Sequence, residues 1–261
     1  MSKIIFITGA GSGLGRGAAV GLAEKGHKVI ATTETTSQKT DLMRESDDKN
    51  LNMDVFKLDI TNPIDLNQIE KYDFDIFLAN AAINERGPLA EIPMERFRQI
   101  FEINVFATLE SVQRAAKVFV KRKRGKIIFM SSIAGINAAP YGGPYAATKH
   151  SIEAMASSLA KELKPFNVQV ATINPGPFNT GFNDRAAEEQ WKWFDPEENF
   201  SDEEDMKQKE KGLENQFDPQ DMIEKMVEII PMDNHHYRTA YPEKTEEQMK
   251  KTVQDRWEAE I

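Results

Sequence analysis

Residues Thr8–Gly15 read TGAGSGLG, and the sequence on either side of them decides the fold. The apolar run Ile4–Thr8 leads into this stretch and predicts a buried β-strand. Leu14–Lys25 leads out of it with the apolar spacing of a helix. A glycine-rich turn between a strand and a helix is typical of the first crossover in a parallel α/β sheet. The chain is therefore predicted to begin with a β-α unit closed by a tight turn.

Three positions in this turn require glycine, each for a different physical reason. Gly9 permits the tight turn, Gly13 lets a ligand approach the backbone, and Gly15 lets helix and strand pack closely. The N–H groups at the start of the helix then attract phosphate. No Gly-Lys-Ser/Thr follows, so this is not a Walker loop. We expect the turn, with Ser12 and Leu14, to hold the pyrophosphate of a dinucleotide.

Strand and helix patterns alternate along most of the chain. The strand candidates are nearly continuous apolar runs: Ile4–Thr8, Lys28–Thr33, Val55–Leu58, Asp75–Ala79, Lys126–Met130, Gln169–Ile173 and Tyr237–Tyr241. The helix candidates are Leu14–Lys25, Thr40–Lys49, Ile64–Ile69, Met94–Val120, Pro144–Leu163 and Gln220–Ile229. This alternation predicts an α/β fold, a doubly wound parallel sheet of about seven strands with helices on both faces. We expect one domain over residues 1–261.

Composition argues against several kinds of partner and site. The formal charge of −9 disfavours nucleic acid and anionic membranes. The basic run Lys121–Arg124 is interpreted as the end of a helix that Gly125 terminates. There is no cysteine, and His235 and His236 lack further ligands, so no metal site is expected. No stretch resembles a membrane span or a signal peptide, which predicts a soluble cytoplasmic protein.

Two late segments each leave two interpretations open. Residues 182–218 are acidic and carry aromatic residues such as Trp191 and Phe194. They are either a helical insertion that covers the substrate as a lid or a mobile surface loop. The terminal helix, predicted from Glu246, has apolar residues every four positions: Met249, Val253, Trp257 and Ile261. That face either packs on its own sheet or joins subunits of a homo-oligomer.

The ends of the second and third strands should meet the adenosine of a dinucleotide. Thr33 and Glu34 stand at the end of the second strand, and Asp59 and Ile60 follow the third. A carboxylate such as Glu34 accepts hydrogen bonds from ribose hydroxyls and repels a 2′-phosphate, which favours NAD over NADP. Thr33 or Thr35 could instead hydrogen-bond that phosphate. Asp59 could accept from the adenine amino group or cap the next helix.

A second motif concerns proton transfer. Tyr145 and Lys149 are four residues apart, so on a helix their side chains share one face. A free tyrosine has a pKa of about 10, but a nearby ammonium and a positive nicotinamide ring favour its phenolate. Ser132 follows the fifth strand, at the sheet edge where ligands bind in such folds, and its hydroxyl could hold a substrate oxygen. We therefore expect Tyr145 to act as an acid/base beside the dinucleotide.

Six stretches of the chain share their order and spacing with one known family. They are Thr8–Gly15, Asn80-Ala81, Asn104, Ser131-Ser132, the YAATK stretch Tyr145–Lys149, and Asn174-Pro175-Gly176. In this order they closely resemble the short-chain dehydrogenase/reductase family over residues 3 to about 181. The resemblance implies a Rossmann-type sheet, NAD or NADP as cofactor, and hydride transfer between a secondary alcohol and a ketone or aldehyde.

The resemblance also implies roles for individual residues. Tyr145 would exchange the proton with the substrate oxygen, and Ser132 would orient that oxygen. Lys149 would hold the nicotinamide ribose and lower the pKa of the tyrosine. Asn104 would fix a water that relays protons from Lys149 to solvent. Further cofactor residues implied by the resemblance are Asn80, Ala81, Pro175, Gly176 and Thr180.

The chain departs from the family pattern in two places. Ala79-Asn80-Ala81-Ala82 stands where the family has Asn-Asn-Ala-Gly. The change removes a side-chain hydrogen bond and alters backbone room, so we expect a changed cofactor affinity and retained activity. The C-terminal part lacks the glycine-rich ending common in tetrameric members, which argues against the family tetramer.

Three functions of different classes fit these observations. The first is an NAD(P)-dependent dehydrogenase or reductase. The second is a cofactor-binding sensor or scaffold without turnover, against which the complete tetrad argues. The third is a non-redox relative, although the dehalogenating members replace the lysine and lose the glycine loop. Small apolar and aromatic residues in Ala138–Tyr141, Ala82–Gly87 and 182–218 favour a hydrophobic alcohol or ketone as substrate.

Overall fold

The computed structural model describes residues 1–211 and 215–258. Within them, a seven-stranded parallel sheet forms the centre of the molecule. Its strands are β1 Ile4–Ile7, β2 Lys28–Thr33, β3 Met53–Lys57, β4 Ile76–Ala79, β5 Gly125–Met130, β6 Val168–Pro175 and β7 Arg238–Tyr241. They lie in the order β3-β2-β1-β4-β5-β6-β7, which runs outward from β1 in both directions. The predicted doubly wound parallel sheet is confirmed.

Helices cover both faces of the sheet. They are α1 Gly13–Glu24, α2 Thr36–Asp48, α3 Pro63–Leu66, α4 Met94–Phe101, α5 Thr108–Arg122, α6 Gly143–Glu162, α7 Phe182–Gln190, α8 Glu203–Lys211, α9 Pro219–Ile229 and α10 Glu243–Glu258. Short 3₁₀ turns lie at Ile69–Lys71, Ile133–Gly135 and Lys164–Phe166, and a π-helical segment, Glu102–Ala107, joins α4 to α5. Among the described residues, no helix is both long and apolar enough to cross a bilayer.

The alternation of side chains along β1 divides the core into two layers. Ile5 and Ile7 point into one layer, which α1 and α9 cover, and Phe6 points into the other, which α5 and α6 cover. Phe6 is fully buried beside Phe77, with ring centroids 5.4 Å apart. Burying a side chain of this size contributes about 1.5–3 kcal/mol. Because both faces are covered, the strands need the continuous apolar runs that the sequence shows.

Two sequence-based boundaries were wrong for identifiable reasons. The predicted long helix Met94–Val120 is interrupted by the π-helical segment, which widens one turn around Asn104. The helix α5 is ended by Lys123 in the left-handed conformation, with φ of 52°, and not by Gly125. Gly125 is instead the first residue of β5, where a Cβ would lie 2.1 Å from the Phe119 ring.

The late segments each contain helices. The segment 182–218 contains α7 and α8, and Tyr141 donates a hydrogen bond to Asp205 of α8 at 2.6 Å. The terminal helix begins at Glu243, earlier than predicted. Met249 on its apolar face is buried, Val253 is exposed and Trp257 is 88% exposed. The fourth member of that face, Ile261, lies outside the described residues.

Candidate active site

The glycine turn is held closed by the end of β4. Asn80 donates from Nδ2 to the carbonyl oxygens of Thr8 and Gly9, both at 3.0 Å. In return the Thr8 hydroxyl accepts from the backbone N–H groups of Asn80 at 3.0 Å and Ala81 at 3.2 Å. A Cβ on Gly15 would lie 2.3 Å from Asn80 Nδ2, so this glycine allows the close contact between α1 and the β4 loop.

The turn has the backbone that phosphate binding needs. Gly9 and Gly13 have φ values of 68° and 56°, a region that side chains disfavour. Helix α1 begins directly after Ser12, whose side chain makes no capping hydrogen bond. The first N–H groups of the helix therefore depend on another acceptor, and the helix dipole favours an anion there. The turn fits the pyrophosphate of a dinucleotide.

A cleft of about 280 Å³ runs along the carboxyl edge of the sheet. Sixteen of the site residues expected from the sequence line it: Gly9, Ser12, Gly13, Leu14, Gly15, Glu34, Asp59, Ile60, Asn80, Ala81, Ser132, Tyr145, Lys149, Pro175, Gly176 and Thr180. Two expected residues, Thr33 and Asn104, are buried outside the lining. The structure thus brings the glycine turn and the Tyr145–Lys149 pair into one cleft.

The end of the cleft beside β2, where the sequence predicts the adenosine, has an acidic character. Glu34 is exposed and lines the cleft, whereas the preceding Thr33 is fully buried and donates its hydroxyl to the Thr35 carbonyl at 3.1 Å. Thr33 is therefore removed from direct contact with the cleft. Arg16, at the start of α1, is paired with Glu45 of α2 at 2.8 Å, so its charge is already compensated.

Asp59 forms a turn and leaves helix capping to its neighbour. Its Oδ1 accepts from the Thr61 N–H at 2.9 Å and from the Thr61 hydroxyl at 2.7 Å. Asn62 caps α3 by accepting from the N–H of Ile64 at 2.9 Å. The alternative in which Asp59 itself caps the helix is wrong, and its carboxylate stays at the cleft.

Helix α6 places Tyr145 and Lys149 together. Lys149 is 2% exposed, its Nζ lies 5.4 Å from the centroid of the Tyr145 ring, and it donates to the carbonyl of Met130 at 2.7 Å. Ser132 stands two residues beyond β5, and its Oγ accepts from the Ala134 N–H at 3.1 Å. The three side chains line the cleft where β5 ends.

Burial perturbs both ionisable groups of the pair. Desolvation raises the pKa of the Tyr145 phenol well above its ordinary value, and a hydrogen bond with the Ser132 hydroxyl acts in the opposite direction. Burial lowers the pKa of the Lys149 ammonium to about 8, and the Glu153 carboxylate opposes this change. Both side chains are therefore protonated at neutral pH, and the pKa of Tyr145 is raised where the sequence predicted that Lys149 would lower it.

Asn104 fastens the wall of the cleft. It is 1% exposed, accepts from the Ile83 N–H at 2.9 Å and donates to the Ile83 carbonyl at 2.8 Å. Its Nδ2 also lies 3.2 Å from the Thr148 hydroxyl. The amide is thus occupied by Ile83, which lines the cleft, and by α6. These contacts engage the side-chain amide of Asn104, and the water relay expected at this residue stays a prediction.

Several cleft residues were missed by the sequence analysis. Phe182 packs its ring against Tyr145 with centroids 5.8 Å apart, and Asn183 and Arg185 follow it on α7. Only the position of this segment after the last cofactor motif signals them. Gln38 could have been found, since Thr35 and Gln38 form a capping box that the sequence spacing displays.

Comparison with known proteins identifies the family. A family model described as short chain dehydrogenase matches residues 3–191. The chain belongs to this family. It is 34% identical over 202 residues to a diacetyl reductase [(S)-acetoin forming] of Staphylococcus epidermidis, covering 75% of this chain and 79% of that protein. The chain is accordingly an oxidoreductase of the NAD(P)-dependent short-chain dehydrogenase class.

Solved structures agree with this assignment. A short-chain dehydrogenase from Streptomyces avermitilis superposes with a TM-score of 0.81 over 98% of this chain and 93% of its own, and at 22% identity it supports the fold alone. A gluconate 5-dehydrogenase from Burkholderia cenocepacia, in complex with NADP and tartrate, has a TM-score of 0.67 at 26% identity. The match covers 71% of this chain and 75% of that protein.

Proposed function

We propose that this short-chain dehydrogenase interconverts a small secondary alcohol and its ketone, with Tyr145 as the acid/base and NAD as the preferred cofactor. The observation that carries the proposal is the meeting of Ser132, Tyr145 and Lys149 with the glycine turn in one cleft. Neither motif would support turnover alone. Their common cleft would put the proton donor of the reaction beside a bound dinucleotide.

The protein side chains would handle the proton. The Tyr145 hydroxyl donates its proton to the carbonyl oxygen in reduction and takes it back from the alcohol in oxidation. The Ser132 hydroxyl holds the same oxygen and orients it. Lys149, with its Nζ 5.4 Å from the Tyr145 ring, favours the phenolate that remains after proton donation. When bound, the nicotinamide supplies or accepts the hydride.

The cofactor preference follows from charge at the adenosine end. Glu34 would accept hydrogen bonds from the ribose hydroxyls and repel a 2′-phosphate. Arg16, a cation in the first turn of α1, is paired with Glu45 and is therefore not free to attract a 2′-phosphate. Several similar solved structures contain NADP or NADPH, so the preference for NAD rests on residues of this chain alone. Fluorescence titration should show tighter binding of NADH than of NADPH, and the reverse order would overturn the preference.

The substrate proposal rests on the side chains around Tyr145. Phe182, Phe178 and Ile83 line the cleft, which favours an apolar substituent on the carbonyl carbon. The diacetyl reductase relative suggests diacetyl and acetoin as first probes. A panel of ketones and secondary alcohols, followed by NADH absorbance, should show the highest kcat/KM for small hydrophobic members. Preference for charged sugar acids would contradict the proposal.

We further propose that the segment 182–218 acts as a lid over the substrate. Helix α7 contributes Phe182 and Asn183 to the cleft, and α8 is tied to the loop before α6 by the Tyr141–Asp205 hydrogen bond. Tyr141→Phe would remove that tie. We expect a higher KM with an unchanged cofactor affinity, and equal KM values would argue against the lid.

A further inference from the structure

A mostly buried carboxylate lies behind the proton-transfer site. Glu153 follows Lys149 by one turn on α6, and 11% of its side chain is exposed. Its Oε1 accepts a hydrogen bond from Asn174 Nδ2 at 2.6 Å, and its Oε2 accepts from Arg238 of β7 at 2.5 Å. The proposed proton transfer needs no contact with Glu153, so the buried charge requires another explanation.

Asn174 connects this carboxylate to Ser132. The asparagine is fully buried on β6, and the same Nδ2 that bonds Glu153 also donates to the Ser132 carbonyl at 3.0 Å. An acceptor on each side of one amide nitrogen fixes that amide in place. The backbone of Ser132 is therefore anchored to α6 through a continuous chain of hydrogen bonds.

The same carboxylate also acts on Lys149. The charged groups around it are Lys149 on its own helix and Arg238 on β7, and the Tyr237 phenol lies close enough to respond to its charge. The packing is tight, because a Cβ on Gly135 would lie 2.9 Å from the Lys149 carbonyl oxygen and 3.0 Å from Glu153 Cγ. A buried anion beside a buried ammonium favours the charged form of the lysine.

We propose that Glu153 is a positioning residue that holds Ser132 through Asn174 and keeps Lys149 protonated, with Arg238 as its counter-ion. The inference rests on the proposed function, since it assigns Glu153 to the service of that proton-transfer set. The two contributions of Glu153, to the position of Ser132 and to the protonation of Lys149, therefore cannot be separated. One carboxylate fixes the hydroxyl that orients the substrate and the charge that favours the phenolate.

The first test follows the lysines directly. NMR of protein with ¹³C-labelled lysine ε-carbons gives each ammonium pKa without any turnover. Lys149 and Lys126 both have pKa values lowered by burial to about 8, and Lys149→Met assigns one of the two signals. In Glu153→Gln we expect the pKa of Lys149 to fall by about one pH unit while that of Lys126 stays constant. An unchanged Lys149 would overturn the proposal.

A second variant shifts the same signal in the opposite direction. Arg238→Gln removes the counter-ion from a side chain that is 42% exposed, so the fold should tolerate it. Glu153 then acts more strongly on Lys149, and we expect the pKa of Lys149 to rise. A fall in that pKa, or no change, would contradict the proposal even if Glu153→Gln failed to fold.

Kinetics provide the third readout. Glu153→Gln should lower kcat about tenfold with a small change in KM, because Ser132 is displaced slightly. The loss should be larger at pH 8 than at pH 6, since Lys149 then loses its proton at lower pH. Glu153→Asp should recover part of the rate, and the exposed Glu162→Gln on the same helix should match the parent. Equal losses at both pH values would contradict the proposal. Absence of turnover with every ketone would refute the proposed function and leave the NMR result intact.

Discussion

Two buried lysines reach opposite ends of strand β5. Lys149 is 2% exposed and donates to the carbonyl of Met130, at the carboxyl end of the strand, at 2.7 Å. Lys126 is 4% exposed, belongs to the other end, and donates to the carbonyl of Met232 at 2.5 Å. Burial lowers the pKa of each ammonium to about 8.

The surroundings of the two lysines differ. Lys149 faces the Tyr145 ring and has Glu153 as its acidic neighbour, whereas Lys126 is influenced by Asp233 and Lys3. A perturbed lysine is therefore insufficient evidence for a reaction site in this fold. The carboxyl edge of the sheet is recognised as the candidate reaction site by two further features, a second proton-bearing group and a cleft that contains the glycine turn.

The largest difference in turnover between the two ends of β5 should come from the phenol of Tyr145. Tyr145→Phe is expected to lower turnover about 10³-fold, since general acid–base catalysis contributes about 10²–10⁴-fold. NADH affinity, measured by fluorescence, should change by less than about twofold, because the ring is retained. Tyr72→Phe, a phenol ahead of β4 that stacks on Phe56 outside the cleft, is the matched control and should leave the rate unchanged. A rate close to that of the parent in Tyr145→Phe would refute the assignment.

The lysines themselves provide the next comparison. Lys149→Met should lower kcat about 100-fold by removing the charge that favours the phenolate. Lys126→Met should leave kcat within about twofold, although its ammonium is buried to a similar extent. Steady-state rates with the best ketone of the panel measure both. Similar losses in the two variants would show that the amino end also contributes to the reaction.

Replacing either lysine by methionine should change the free energy of unfolding by a similar amount. A pKa lowered from 10.5 to about 8 corresponds to a cost of about 3 kcal/mol for holding the charged form at pH 7. Each Lys→Met change removes that cost and loses one hydrogen bond from a charged group, worth about 1.5–3 kcal/mol, so the free energy of unfolding should rise by at most about 1.5 kcal/mol. In the parent, the unfolded state binds more protons between about pH 8 and 10.5, so stability increases with pH there. Urea titrations at pH 7 and pH 10 should show the benefit of either change shrinking at the higher pH.

The smallest expected effect concerns the far end of the cleft. Glu34→Ala should reduce the preference for NADH over NADPH about tenfold, equivalent to about 1.4 kcal/mol, by removing repulsion of the 2′-phosphate. Glu24→Ala, a carboxylate on α1 paired with Lys49, is a suitable control. An unchanged ratio of dissociation constants in Glu34→Ala would locate the discrimination elsewhere.

The sequence was sufficient for what depends on local pattern. The sequence located all seven strands to within a few residues. The central strands are largely apolar because both of their faces are covered, whereas the edge strands β3 and β7 are partly exposed. The glycine turn and the Tyr145–Lys149 pair could also be recognised from the sequence, because each lies within one short segment. The interruption at Asn104 was not, because the apolar pattern was read with the α-helical period throughout, and a single π-helical turn has no residue signature of its own.

Contacts between distant segments could not be predicted. Glu153 and Arg238 are separated by 85 residues, and only the pairing of β6 with β7 brings them together. Thr33 and Glu34 show a second limit of prediction from the sequence, at the scale of a single residue. Which of two adjacent residues faces the cleft depends on where β2 ends, and the strand pattern fixes that end only to within a residue.

The hydrogen bonds that Asn80 makes to the glycine turn have a thermodynamic consequence. They are complete within the protein, so the turn is preorganised and needs little ordering when a dinucleotide arrives. Asn80→Ala would leave the phosphate contacts unchanged and still weaken binding, because the free turn would then sample many shapes. Its penalty would appear in the entropy measured by calorimetry, and the enthalpy of binding would remain close to that of the parent.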